Sequence, residues 1–180
     1  MRYYTSEQIM DFLDLLKQNL KNLFDIKEQV NGKVDLQKSF YFMKEIGLII
    51  PFNFRWSKLG PYSYELDNVI ERLTNQGYLL YNSKYELYDK AFKNIEPNYP
   101  TKLATFFDDL NDTCSSKLDY NEVYFIECAA SLHFIYKYSN IRKKDASFKK
   151  LEELKPDRIE ILKPYMNDAW IFLSRQKLIT

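Results

Sequence analysis

FRWSKLGPYSYELDNVIERLTNQGYLLYNSKYELY, residues 54–88, carries the strongest local signals in the chain. Phe52 to Trp56 read as extended, and Gly60-Pro61 reads as a turn. Ser63 is placed to cap a helix whose Leu66, Val69, Ile70 and Leu73 recur as one apolar stripe. Gly77 supplies the left-handed stop. Two short tyrosine-rich runs, residues 78–81 and 85–88, then read as strands joined through Asn82, Ser83 and Lys84. Extended segment, helix and hairpin in that order match the second half of a winged helix-turn-helix. The plainer reading is a helix packed on a hairpin.

Working outward, Thr5 with Gln8 forms a capping-box start for a first helix. Its apolar face is Ile9, Phe12, Leu13, Leu16, Leu20 and Leu23, and Asn31-Gly32 ends it. Asp35 is expected to cap the next helix, with Leu36, Phe40, Met43 and Ile46 inward and Gly47 as its stop. Pro51 cannot continue a helix. After the hairpin, residues 89–95 allow one helical turn, and Pro97 and Pro100 mark an internal boundary. Beyond it the pattern is helical. Leu103, Phe106, Phe107 and Leu110 form one stripe. Asp119 with Glu122 opens a helix bearing Val123, Ile126, Ala130 and Phe134. Phe148, Leu151 and Leu154 form another, and Pro164 breaks the last region, which carries Tyr165, Ala169, Trp170 and Leu173. The expected fold is therefore mainly α with a small β-hairpin. Residues 1–96 form a winged helix-turn-helix half and residues 97–180 a helical half sharing its core.

Composition narrows the functional classes. Of 180 residues, 46% are hydrophobic and 28% charged, the balance of a soluble globular chain. A net charge of +1 provides no global field toward nucleic acid or anionic lipid, so any such binding needs a local patch. Cys114 and Cys128 are too few and too far apart for a disulfide framework, and free thiols fit a cytoplasmic location. No stretch reaches the roughly 20 apolar residues of a membrane span.

Two stretches, LQKSFYFMKEIGL at residues 36–48 and GPYSYELDNVIERLTNQGYLL at residues 60–80, resemble the YwgA-like family of small bacterial proteins. ECAASLHFIYKYSN at residues 127–140 and LEELKPDR at residues 151–158 look like that family's C-terminal helices. More distantly, a lysine-bearing helix followed by a Gly-Pro segment resembles the Panacea domain of SocA-like antitoxins. The first resemblance implies the winged-helix fold. The second implies a toxin-neutralising protein partner.

Chemistry-bearing residues are sparse. His133 stands beside Leu132 and Phe134 and reads as a satisfied helix histidine. Its spacing from Cys128 puts the two on different helix faces. Cys114, Cys128 and His133 do not form a metal-ligand pattern, and Asp108, Asp109 and Asp112 read as a solvated face. No phosphate-cradling glycine loop is present. The chain is therefore expected to act without catalysis, cofactor or metal.

Binding residues are easier to nominate. For nucleic acid they are Arg55, Lys58, Arg72, Lys84 and Tyr85. For a protein they are Tyr62, Tyr64 and Tyr81, because tyrosine offers a large area and a polar tip. Between residues 52 and 95 six basic side chains face five acidic ones, and the helix after Ser63 holds three acids and one arginine. Carboxylates there repel phosphate. The basic run Arg142-Lys143-Lys144, continued by Lys149 and Lys150, reads as a solvated face with an anionic partner as the sharper option. The sequence thus leaves open duplex DNA, a protein partner and a homodimer. A nucleic-acid-associated regulator leads narrowly over a protein-interaction module of antitoxin-like or defence-associated type.

Overall fold

The computed structural model describes residues 6–27 and 29–180, without the side chains of residues 6–12, 89 and 91. The expected Thr5–Gln8 cap and the side chains of Ile9 and Phe12 lie outside that set. Helix α1 (Ser6–Ile26) buries Leu16, Leu20 and Leu23 completely. It stops before Asn31-Gly32, which instead opens α2 (Gly32–Ile46). The reason is long-range: Val30 bridges to Tyr85, pinning the connecting loop in extended form. Asp35 is not the cap of α2. Asn31 occupies that position, and Asp35 sits one turn in, where its carboxylate accepts the Asn31 N–H at 2.8 Å.

α2 departs further from the amphipathic expectation, since residues 35 through 43 are all buried. The face opposite Leu36, Phe40 and Met43 carries Gln37, Lys38, Tyr41 and Phe42, and each is covered. A left-handed Gly47 (φ 113°) ends the helix. The chain then forms a hairpin the sequence did not announce. β1 (Arg55–Ser57) pairs antiparallel with β2 (Gly60–Tyr62), Trp56 opposite Pro61. Gly60-Pro61 is therefore strand, and the turn is Lys58-Leu59. Pro61 is tolerated because this ribbon has only two strands.

α3 (Tyr64–Asn75) follows, capped by Ser63, whose Oγ accepts the Leu66 N–H at 3.3 Å. Leu66, Ile70 and Leu73 are buried, whereas Val69 is only half-buried. Gly77 takes φ 75°, and the Tyr78 N–H returns to Leu73 O at 2.9 Å to close the helix end. β3 (Leu79–Asn82) and β4 (Lys84–Leu87) form the second hairpin, with Ser83 left-handed at its tip.

The remainder is helical: α4 (Asp89–Phe92), α5 (Thr101–Ser115), α6 (Glu122–Tyr138), α7 (Lys144–Leu154), α8 (Ile159–Leu162) and α9 (Met166–Arg175). Pro164 sits in a 3₁₀ turn between the last two. Asp119 does not cap α6. Asn121 does, its side chain accepting from Val123 and Tyr124, which makes Glu122 the first helical residue. α6 is covered on every side through its middle and packs on α2, α7, α9 and β2. Tilted and edge-to-face rings tie the two halves together, with Phe42–Phe106 at 4.8 Å and Phe106–Phe172 at 5.0 Å. Among the described residues no helix is long and apolar enough to cross a membrane.

Candidate interaction face

The short β2 strand is held from two sides by buried polar groups. From α2, the Gln37 carboxamide brackets Ser63, donating to its carbonyl and accepting its N–H, both at 3.0 Å. One residue on, Lys38 Nζ donates to Pro61 O at 2.7 Å with no exposed surface. From α6, Ser131 lies against Gly60 so closely that a Cβ at Gly60 would meet its Oγ at 2.3 Å. Gly60 also has φ 88°, a conformation that disfavours a side chain.

Behind Ser131 lies an ion cluster. Glu127, fully buried on α6, accepts from Lys155 at 2.7 Å and from Arg158 at 2.6 Å. Lys155 also stands 5.8 Å from the centre of the Trp56 ring on β1. Burial and the neighbouring Lys155 push the Lys38 ammonium down to about 7. Lys155 is lowered as well, by burial against the pull of Glu127. Lys155 and Arg158 thus share one buried carboxylate, with the Lys38 ammonium in its field. Sequence reasoning missed the cluster because its members are far apart in the chain and each reads as an ordinary surface charge. The segments that meet here are LQK of α2, GPYS of β2 and the α3 cap, ECAAS of α6 and LKPDR after α7.

The clamp fixes the start of α3 and hence the aromatic face beside it. Tyr62 and Tyr64 lie edge to face at 5.0 Å, and Tyr81 packs on Tyr85 at 4.7 Å. Asp67 accepts from the Tyr62 hydroxyl and forms a 2.7 Å ion pair with Lys33. Burial and then Asp67 raise the Tyr62 phenol, and burial raises Tyr85. Tyr64 is 66% exposed and Tyr81 55%. Leu80, also half in solvent, lies on the opposite face of β3 from Tyr81. Of the three tyrosines nominated for protein contact, Tyr64 and Tyr81 are exposed and Tyr62 is half-buried beside Tyr64.

The nucleic-acid set is not gathered. Tyr85 is buried beneath Tyr81 and cannot stack on a base. Lys84, at the hairpin tip, donates to Gln29. Lys58 pairs with Asp157 at 3.5 Å on the far side of β1–β2. Arg55 and Arg72 are exposed, Arg55 standing opposite Tyr62 in the β1–β2 ribbon.

The nucleophile candidates are occluded. Burial pushes the Cys114 thiol up to about 12 and the Cys128 thiol higher still, so neither is a thiolate near neutral pH. His133 is buried and lowered to about 4. Its Nδ1 shares a 2.7 Å hydrogen bond with the Tyr41 hydroxyl, and the ring also meets the Leu178 backbone. Asp109 is not solvated as expected, because Arg175 grips it through two nitrogens. Among the described residues no His, Cys, Asp and Glu group could hold a metal ion. Compared with family models, curated proteins and solved structures, the chain has no match.

Proposed function

We propose that this chain is a non-enzymatic protein-binding module on a winged helix-turn-helix framework. What supports the framework is strand order: Val30 bridges β4, β4 pairs with β3, and α2 and α3 lie between them in sequence. In that frame α3 is the recognition helix and β3–β4 the wing. The observation that carries the binding mode is the exposed pair Tyr64 and Tyr81 beside an α3 surface bearing Glu65, Asp67 and Glu71. Exposed tyrosine suits a protein contact, and carboxylates on the recognition helix disfavour a phosphate backbone. The sequence resemblance of the LQK, GPYS, ECAAS and LKPDR stretches to the YwgA-like family is what suggests that family. The more distant antitoxin resemblance makes a neutralised toxin the kind of partner to seek.

A second reading, a nucleic-acid-associated regulator, draws on the exposed Arg55 and Arg72. A photo-cross-linking amino acid placed at Tyr64, at Tyr81 and, as a control, at exposed Lys149 on α7 separates the two in the host cell. The expected result is a protein adduct from positions 64 and 81 and none from 149. Nucleic-acid adducts, or equal yields at all three positions, would overturn the reading.

A further inference from the structure

The two strands of the first hairpin are held unequally. β2 packs on α2 and α6, whereas β1 packs mainly on β2 and forms the outer strand. Pro61 has no N–H, and its carbonyl accepts from Lys38. The ladder bonds of the ribbon therefore run through the pairs Arg55–Tyr62 and Ser57–Gly60. That alternation turns the Trp56 N–H and C=O away from β2, and neither has a partner among the described residues. We propose that this outer edge of β1 takes an added strand, an extended acidic segment of another protein. The inference does not depend on the Tyr64 and Tyr81 face.

Alternation along the strand sets the pattern of the segment. The Trp56 side chain lies toward α6, its ring 5.9 Å from Phe134, and Phe134 lies 4.5 Å from Tyr138 one turn on. Trp56 and Phe134 are half-buried and Tyr138 is 57% exposed, so an aromatic shelf continues from the strand along the helix. A residue paired with Trp56 points its side chain to this same side. Its two neighbours point to the other side, where Arg55 lies. Arg55 is exposed, with Glu65 in its field and no ion pair among the described residues. Lys58 at the turn, paired with Asp157 only at 3.5 Å in the open, adds positive charge. The segment that fits is an apolar residue between two carboxylates. Self-pairing fits worse, because a second copy on this edge would set two Arg55 guanidiniums on one ribbon face.

The edge is also pre-formed. Gln37 at Ser63, Lys38 at Pro61 and the close Ser131–Gly60 contact fix β2, and β2 fixes β1. An incoming strand meets a template that does not have to order on binding. A role as template accounts for the three buried polar side chains that anchor so short a ribbon.

A blocked Ser-Glu-Phe-Glu-Ser peptide, titrated into the full chain and followed by amide NMR and calorimetry, tests the proposal. The controls are the same peptide with lysine for both glutamates, and the acidic peptide N-methylated at its phenylalanine. Saturable shifts at the Arg55 and Trp56 amides are expected with the acidic peptide and not with the lysine peptide. N-methylation should weaken binding about fivefold, the loss expected for one hydrogen bond. Arg55→Glu should weaken the acidic peptide about fivefold and let the lysine peptide bind in its place. Tyr81→Ser should change neither, which keeps a failure here distinct from a failure of the Tyr64 and Tyr81 reading. No saturable shift, equal binding of the lysine peptide, or affinity unchanged by N-methylation or by Arg55→Glu would overturn the proposal. So would peptide-free self-association that protects the Trp56 amide, because the occupant would then be a second copy.

Discussion

Two hairpins of nearly equal size divide this molecule's labour. β1–β2 is sandwiched between α2 and α6 and anchored by Gln37, Lys38 and Ser131. β3–β4 is held from one side and turns Leu80 and Tyr81 toward solvent. Strand propensity does not separate them. What separates them is the polar inventory that each neighbouring helix offers. Buried amide and ammonium groups fix a backbone in one position, because an alternative position would leave them unsatisfied. A ribbon without such anchors is free to present its side chains. The clamped hairpin sets the start of α3, and the open one completes the face beside it.

The comparison breaks first at Glu127. Glu127→Ala leaves Lys155 and Arg158 without their shared carboxylate in a buried site, and about 3–5 kcal/mol of stability should be lost in denaturant unfolding. A change near zero would mean that the cluster is not anchoring β1–β2. Leu73→Ala under α3 should cost about 2–5 kcal/mol if the site stays well packed. A cost below about half a kcal/mol would remove α3 from the centre of the fold.

Gly60→Ala should cost about 2–4 kcal/mol, combining the left-handed backbone with the Ser131 collision. Adding Ser131→Gly should recover the collision part and leave the backbone part. Full recovery, or none, contradicts the geometry described.

Lys38 gives a pH signature. Its folded-state value near 7 is far below the ordinary 10.5, so the unfolded chain binds more protons between the two. Stability therefore rises as pH increases from about 7 toward 10.5, by at most ~1.4 kcal/mol per pH unit, and Lys38 contributes no slope below that window. Lys38→Met should remove this rise. Lys27, raised against its burial by the carboxylates of Asp35 and Glu122, has the opposite sign, and its contribution is lost only as pH climbs above 10.5. An unchanged slope in Lys38→Met would show that Lys38 keeps its proton in the fold.

The smallest stability effect belongs to the open hairpin. Tyr81→Ser should move unfolding by under about 0.5 kcal/mol, because the ring is largely in water. A larger loss would make Tyr81 a packing residue rather than a presented one.

What the sequence made legible follows the same division. The Ser63 cap, the Leu66, Ile70 and Leu73 stripe and the Gly77 stop are local signals, and each appears where its spacing put it. The clamp is non-local. Lys38 sits in a helix buried on all faces, where amphipathic periodicity carries no information. Glu127 meets Lys155 and Arg158 only because α6 and α7 fold back on each other. β1 and β2 are three residues each, too short for alternation to show, and Pro61 argued against a strand. Tyr85 was misplaced because its exposure depends on the Val30 bridge, which is formed by a residue far upstream.

The central claim is that the face formed by α3 and β3–β4 contacts protein rather than nucleic acid. Duplex-DNA binding measured by fluorescence anisotropy from low to moderate salt tests it most directly. The account predicts only weak, sequence-independent association at low salt, unaffected by Tyr64→Ala. Tight binding with a steep negative salt slope that Arg72→Ala or Lys84→Ala flattens by about one unit would contradict it.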